Sequence, residues 1–262
     1  MNLRTFSTLF LATCAAIGFG ALASHRPVPA PATVASPADE LASYGQRLVE
    51  RTFAEIGPEA TDPAKRYTGN NLACQSCHLD GGTNLAALPL SAASTGYPKF
   101  SDRAGRVISL TERVEECMTR SMNGRELPLE SREMAAFLAY LRSIADPQAK
   151  QAPPAQAAAD DPSAARGQLV YDKVCAVCHQ PDGLGKRIGS AGDARGYQFP
   201  PLWGPDSFND GAGMDQSRRS VGFIRHSMPR GVDPAHPQLS LQQAWDVAAL
   251  LQSKPRPHYV PR

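Results

Sequence analysis

The pattern Cys-x-x-Cys-His occurs twice in this chain, as Cys74-Gln75-Ser76-Cys77-His78 and as Cys175-Ala176-Val177-Cys178-His179. No other feature restricts the fold as much. Two thiols and a histidine at this spacing form the attachment site of c-type haem: the thiols make thioether bonds to the porphyrin vinyls and the histidine ligates the iron. Structural zinc sites bring a second cysteine pair within about 20 residues, and here the pairs stand far apart. A thioredoxin-like redox motif needs a βαβ context, which the sequence lacks. The reading is therefore two covalently bound c-type haems, with Cys74, Cys77, Cys175 and Cys178 as anchors and His78 and His179 as proximal ligands.

The rest of the chain divides around these motifs. Residues 147–165 read as a linker, with Pro147, Pro153, Pro154 and Pro162 set among Ala, Gln and Asp. Each flanking half opens with a helix. In the first, Ser36-Pro37 starts it and Leu41, Tyr44, Leu48 and Phe53 follow at near-helical spacing; in the second, Asp161-Pro162 makes the cap and first turn. Each half also closes with one. Met134, Phe137, Leu138 and Leu141 repeat at i, i+3, i+4, i+7, as do Ala244, Val247, Ala248 and Leu251 behind a capping box at Ser240 and Gln243. No run alternates as a strand. The expected fold is all-α: two tandem class I cytochrome c-like domains, residues 37–146 and 166–262, each with one haem. A domain of this size makes a modest core, and a buried porphyrin supplies missing apolar surface.

The N-terminus carries Arg4, an uncharged stretch from Thr5 to Ser24, and Ala21-Leu22-Ala23 before Ser24. This is the pattern of a secretory signal peptide over residues 1–23, followed by a Pro/Ala-rich lead-in over 24–36. No later stretch reaches the roughly 18 apolar residues of a spanning helix, so the mature chain is expected to lack a membrane span and to work in the periplasm. Residues 1–23 hold one cation (Arg4) and no acid, so their loss takes the net charge from +2 to +1. Nothing in that balance suggests nucleic acid.

Of the six cysteines, four are taken by haem and Cys14 lies in the leader. Cys117 is left without a partner. An odd cysteine in an exported chain is an intermolecular partner or a reactive thiol, and a haem protein adds a third use, thiolate ligation of iron. Cys117 falls on a helix expected from about Thr111 to Met122, stopped by Asn123-Gly124. Arg113, Cys117 and Ser121 are spaced by four and share a face. A cation beside a thiol lowers its pKa. Arg103 and Arg106 lie upstream and Arg125 downstream, so the set describes a thiolate beside an anion-binding pocket. Met118, Met122 and Met134 are the other distal candidates in this half. In the second half Met228, in Ser227-Met228-Pro229, is preferred on loop position and ligand type over Met214 and His226.

The chain resembles the thiosulfate dehydrogenases, diheme c-type cytochromes that join two thiosulfates into tetrathionate or run the reverse. The matching stretches are Asn71-Leu-Ala-Cys-Gln-Ser-Cys-His-Leu-Asp80, Arg113-Val-Glu-Glu-Cys-Met-Thr-Arg-Ser-Met-Asn-Gly124, Pro200-Pro-Leu-Trp-Gly-Pro-Asp-Ser-Phe-Asn209, Gly211-Ala-Gly-Met214 and Ala244-Trp-Asp-Val-Ala248. The resemblance implies that His78 and Cys117 ligate the iron of a catalytic haem 1, and that His179 and a methionine ligate haem 2, a relay. It implies that Arg103, Arg113, Ser121 and Arg125 hold substrate; at the last, relatives often carry lysine. Some relatives also place a lysine before the haem 2 methionine, and here Arg225, His226 and Ser227 stand there instead. The implied partners are thiosulfate, tetrathionate and an external electron carrier such as a small c-type cytochrome. Two alternatives remain: a non-catalytic diheme electron carrier, ligated at haem 1 by Met118 or Met122, and a subunit of the multi-enzyme sulfur-oxidation system.

Overall fold

Two helix crossings at glycines organise the computed structural model, which describes residues 36–149, 157–158 and 160–261. The expected leader, almost all of the lead-in and the middle of the linker lie outside the described residues. In the first half, α1 (Pro37–Glu50) begins at the expected place: Ser36 caps it and forms a capping box with Asp39. A short α2 (Thr52–Glu55) follows, which is where Phe53 lies, and α3 (Ala93–Gly96) comes after the first haem motif. Strands β1 (Lys99–Ser101) and β2 (Arg106–Ile108) pair antiparallel, Phe100 opposite Val107. Then come α4 (Leu110–Glu116), a π-helical turn over Cys117–Ser121, and the closing α5 (Arg132–Ser143).

The second half contains α6 (Ala164–Val170), a π-helical turn over Tyr171–Cys175, and α7 (Ala176–His179). After these come β3 (Lys186–Arg187) antiparallel to β4 (Tyr197–Phe199), then α8 (Ser217–Ser227) and α9 (Leu241–Ser253). The fold is helix-dominated, and the two hairpins are additions to the sequence reading. Their strands of two or three residues are too short to show an alternation. The start of α6 is also corrected: Ser163, not Asp161, is the N-cap. The reason is tertiary. The Ser163 amide donates to Asp246 on α9 at 2.8 Å, and Arg166 meets the same carboxylate through Nε and Nη2, each at 2.8 Å.

In each half the first and last helices cross where a glycine removes a side chain. A Cβ on Gly45 of α1 would collide with the Ala136 carbonyl of α5, and one on Gly167 of α6 would collide with the Asp246 carbonyl of α9. Around these crossings the apolar stripes are buried. Leu48, Met134 and Phe137 form one core with Met118 and Met122; Tyr171, Val221, Ala244, Val247 and Leu251 form the other. Burial of such side chains is worth about 1.5–3 kcal/mol each.

The halves are joined by buried polar contacts. Asn70, fully buried, donates to the carbonyls of Ser121 at 3.0 Å and Ser207 at 3.1 Å. Asn209 donates to the Thr119 carbonyl at 2.9 Å. Arg187 bridges Glu59 at 2.9 Å and Asp206 at 3.1 Å. The loop 200–209 thus runs against the turn that carries Cys117. No helix of the described residues is long and apolar enough to cross a membrane.

Candidate functional site

The first haem motif is held by the end of the opening helices. Cys74 begins a 3-10 turn, and its amide donates to Thr52 Oγ1 at 3.0 Å, while Gln75 donates to the Glu50 carbonyl at 2.8 Å. His78 follows, and its Nδ1 hydrogen-bonds the Leu88 carbonyl. Leu88 sits at φ +50°, a left-handed conformation that costs a non-glycine residue energy and here aims that carbonyl. With Nδ1 donating, Nε2 is the ring nitrogen free to bind a metal. Burial keeps the imidazole below its ordinary pKa, with the Leu88 hydrogen bond opposing. The neutral ring is the ligating form. Burial also pushes the thiols of Cys74 and Cys77 up, to about 11 and about 12, so neither is poised as a free thiolate.

Cys117 reaches the same place from the other side of the sequence. Ser109 caps α4 through a box with Glu112, which Arg106 also grips at 2.7 Å. At Cys117 the helix widens, and the Met122 amide returns to the Cys117 carbonyl at 2.9 Å. Such π-turns are common at functional positions. Asn123 at φ +48° ends the helix, as its place in the sequence predicts. The widening keeps residues four apart on one side, so Arg113, Cys117 and Ser121 line one cavity together with Cys74, Cys77 and His78.

Two guanidiniums, a thiol and a hydroxyl set the chemistry of this cavity. Arg113 pairs with Glu116 at 2.9 Å, and the adjacent Cys117 sulfur strengthens its charge against the cost of burial. Arg103, in the β1–β2 turn, does not line the cavity; it is half-buried while Asp102, Ala104 and Gly105 around it are exposed. Burial lowers its pKa, and the guanidiniums of Arg120, Arg113 and Arg219 add to the effect against Glu116. Arg103 therefore sits in a strongly positive field. Arg125 does not join it. Its guanidinium stacks on Tyr67 at 4.0 Å and donates to the Ala64 carbonyl at 3.2 Å, and it is absent from the cavity wall. Met118 and Met122 line the cavity; Met134 is buried in the core behind it.

The cavity is completed by the second half, which contributes Phe208, Gly213, Met214 and Arg219. Tyr97, from the segment before β1, is a further wall. Sequence reasoning missed Tyr97, Phe208 and Arg219 as parts of this site. Phe208 and Met214 fall in stretches matched by the resemblance, but nothing local marks Tyr97 or Arg219, because tertiary folding brings them in.

The second motif is built differently. The π-turn runs directly into α7, so Cys175, Cys178 and His179 lie on one helical stretch. His179 Nδ1 bonds the Pro200 carbonyl at 2.8 Å, again leaving Nε2 free, and burial again lowers the ring's pKa. Met228 follows α8 and packs beside Leu79, Ala87 and Phe223. Met214 lines the first motif's cavity and packs against the same small cluster as Met228. His226 is engaged with the Pro234 carbonyl at 3.2 Å.

These residues suit a porphyrin. The cavity has walls of Val49, Leu72, Leu90, Val114 and Phe137, an anchoring thiol pair, and an imidazole with a free nitrogen. His78 and Cys117 offer two donors, the number that porphyrin iron leaves open. Among the described residues no three His, Cys, Asp or Glu side chains form a chelating cluster of their own.

Residues 64–148 match the family model described as SoxA/TsdA cytochrome c domain, and residues 164–254 match that of cytochrome c. Each half is thus a cytochrome c domain with one covalent c-type haem. Over 98% of its length the chain is 36% identical to a thiosulfate dehydrogenase of Allochromatium vinosum, spanning 96% of that protein. It is 38% identical to one of Stutzerimonas stutzeri, over 82% of this chain and 69% of that one. An L-cysteine S-thiosulfotransferase subunit SoxA of Pseudaminobacter salicylatoxidans is more distant, at 24%. Among solved structures, the thiosulfate dehydrogenase TsdBA of Marichromatium purpuratum superposes with a TM-score of 0.72 at 31% identity; the match covers 84% of this chain and 46% of that one.

Proposed function

We propose that this protein couples two thiosulfates into tetrathionate; the premise is that the chain belongs to the thiosulfate dehydrogenase family, which the identities and coverages above establish. One observation carries the reading: a single cavity brings the unpaired thiol of Cys117 to the first haem motif and sets Arg113 and Ser121 beside it. An ordinary electron carrier has no use for that arrangement.

In this reading Cys74 and Cys77 anchor haem 1, and His78 and Cys117 bind its iron. Cys175, Cys178, His179 and Met228 do the same for haem 2. The haems supply one-electron acceptor sites. Thiosulfate is a dianion, and bringing two together costs repulsion, which guanidinium forks offset while gripping sulfonate oxygens. Arg113 stands beside Cys117 and grips the sulfonate brought to it, and the Ser121 hydroxyl donates to that sulfonate. The Cys117 sulfur and the terminal sulfur of the first thiosulfate join, with loss of two electrons, to give a Cys–S–S–sulfonate. The terminal sulfur of the second thiosulfate attacks the outer sulfur of that adduct. A sulfur–sulfur bond forms, the Cys117 thiolate leaves, and tetrathionate is released. In sum two thiosulfates give one tetrathionate and two electrons, which pass singly to an external carrier such as a small c-type cytochrome. Arg125 has no part in this account, because it is held against Tyr67.

The same reading takes residues 1–23 as an export signal and the periplasm as the workplace, with haem domains over 37–146 and 166–262. The test is an assay of purified holoprotein with thiosulfate and ferricyanide, scored for tetrathionate. Absence of tetrathionate, with an electron paramagnetic resonance signal of His/Met rather than thiolate ligation at haem 1, would replace this reading with a plain diheme carrier.

A further inference from the structure

The cavity of the first motif holds one arginine that neither the helix bearing Cys117 nor its own half supplies. Arg219 stands in the first turn of α8, in the second half, yet lines the cavity with Arg113, Cys117 and Ser121. Its stem lies over Gly213: a Cβ there would be 3.5 Å from Cδ and 3.6 Å from Nη1 of Arg219. Glu116, on the same helix as Arg113, is already bound to that arginine. Among the described residues Arg219 has no carboxylate within ion-pair distance, and Arg103 has none either. Tyr97 lines the same cavity as Arg219 and Cys117. An exposed cation on the cavity wall with no carboxylate partner marks a place for an anion arriving from solvent.

We propose that Arg219 forms a second anion subsite, which receives the sulfonate group of the incoming thiosulfate while Arg113 and Ser121 hold the first. This rests on the reaction proposed above. Two substrates of the same charge must occupy one cavity, and the first needs the inner position beside Cys117. The second must come through the rim, where Arg219 is the exposed cation. Its terminal sulfur then points inward while its sulfonate stays at the mouth. The active site is therefore shared between the halves, and α8 supplies substrate specificity as well as packing. The competing use of Arg219 is as partner of a haem 1 propionate, and the two roles have different signatures.

The experiment compares wild-type holoprotein with Arg219→Gln and Arg219→Lys. Arg219 is exposed, so both variants are expected to fold with both haems. Calorimetric binding of thiosulfate to the reduced protein, which cannot turn over, should weaken about tenfold in Arg219→Gln, as for loss of one charge-assisted contact. The KM for thiosulfate should rise by a similar factor, while kcat changes less than about twofold. Arg219→Lys should recover part of the loss, because it keeps the charge but not the fork. The haem 1 potential and its paramagnetic resonance spectrum should stay as in wild type. Unchanged binding in Arg219→Gln overturns the subsite. So does a shifted haem 1 potential with thiosulfate affinity intact, which assigns Arg219 to a propionate. If wild type binds thiosulfate with this Arg219 dependence but makes no tetrathionate, the subsite stands and the proposed reaction fails.

Discussion

The two halves use the same frame for different ends. Each crosses its first and last helices at a glycine, Gly45 in one and Gly167 in the other, and each ties its haem histidine through Nδ1 to a backbone carbonyl, Leu88 or Pro200. They diverge in what lies between motif and closing helix. Both insert a short hairpin; the first half then adds a capped helix that widens at Cys117, the second a loop and α8, which ends before Met228. The frame makes a haem domain, and the insert decides what the haem does. The difference also runs across the interface, since the second half's insert closes the first half's cavity with Phe208, Met214 and Arg219.

The sharpest way to break this contrast is to erase the thiol. Cys117→Gly should lower tetrathionate formation by at least about a thousandfold, roughly 4 kcal/mol of barrier, with both haems still attached and the haem 2 spectrum unchanged. Met118→Leu, one position on, should leave activity within about twofold, since volume-conserving swaps in a core cost under about 1.5 kcal/mol. Equal losses in the two variants would point to general damage of the helix and dissolve the distinction.

The shared frame is tested next. Gly45→Ala and Gly167→Ala each drive a methyl group into a backbone carbonyl of the partner helix. Each should cost about 1–3 kcal/mol, read as a drop in thermal midpoint. A loss confined to one variant would show that one crossing is not structural in the same sense. Met228→Ala should act only on the relay: the haem 2 potential falls, by something on the order of 0.1 V within the span of about 0.8 V that axial ligands command. Turnover should slow with KM for thiosulfate unchanged.

Much of this was readable without coordinates, and the reasons are local. The haem motifs are contiguous pentapeptides. The closing helices announce themselves by period, and the Ser240–Gln243 box marks its own start. The helix carrying Cys117 was legible because four-residue spacing survives the π-turn, though the π-turn itself was not, since no residue type encodes it. What failed depended on partners distant in sequence. Arg125 looked like a site residue from its nearness to Ser121, but Tyr67 captures its guanidinium. The α6 cap moved to Ser163 because Asp246, 83 residues on, fixes that end. Arg219 left no trace in the sequence for the same reason.

The smallest expected effect compares the buried carboxylates of the closing helices. Glu133 of α5 accepts from Lys65 Nζ and Tyr44 OH, each at 2.9 Å. Asp246 of α9 accepts from Arg166 twice, the Ser163 amide and Gln242. For both, burial raises the pKa but the hydrogen bonds outweigh it, so both are lowered in the folded state. A lowered carboxylate pKa means the folded state binds fewer protons. The stabilisation is then complete above the unfolded values, about 4.3 for Glu and 3.9 for Asp, and is lost as pH falls through the folded ones. Lys65 and Arg166 are partly exposed, so the charge contribution is screened and the hydrogen bonds dominate. Asp246→Asn should cost about 2 kcal/mol at pH 7 and Glu133→Gln about 1 kcal/mol. Both variants should lose the acid-side slope of stability below about pH 4 that wild type shows. If Glu133→Gln flattened that slope more than Asp246→Asn, the second half would not be the more strongly pinned of the two, and the hydrogen-bond count would be the wrong measure of how each frame is held.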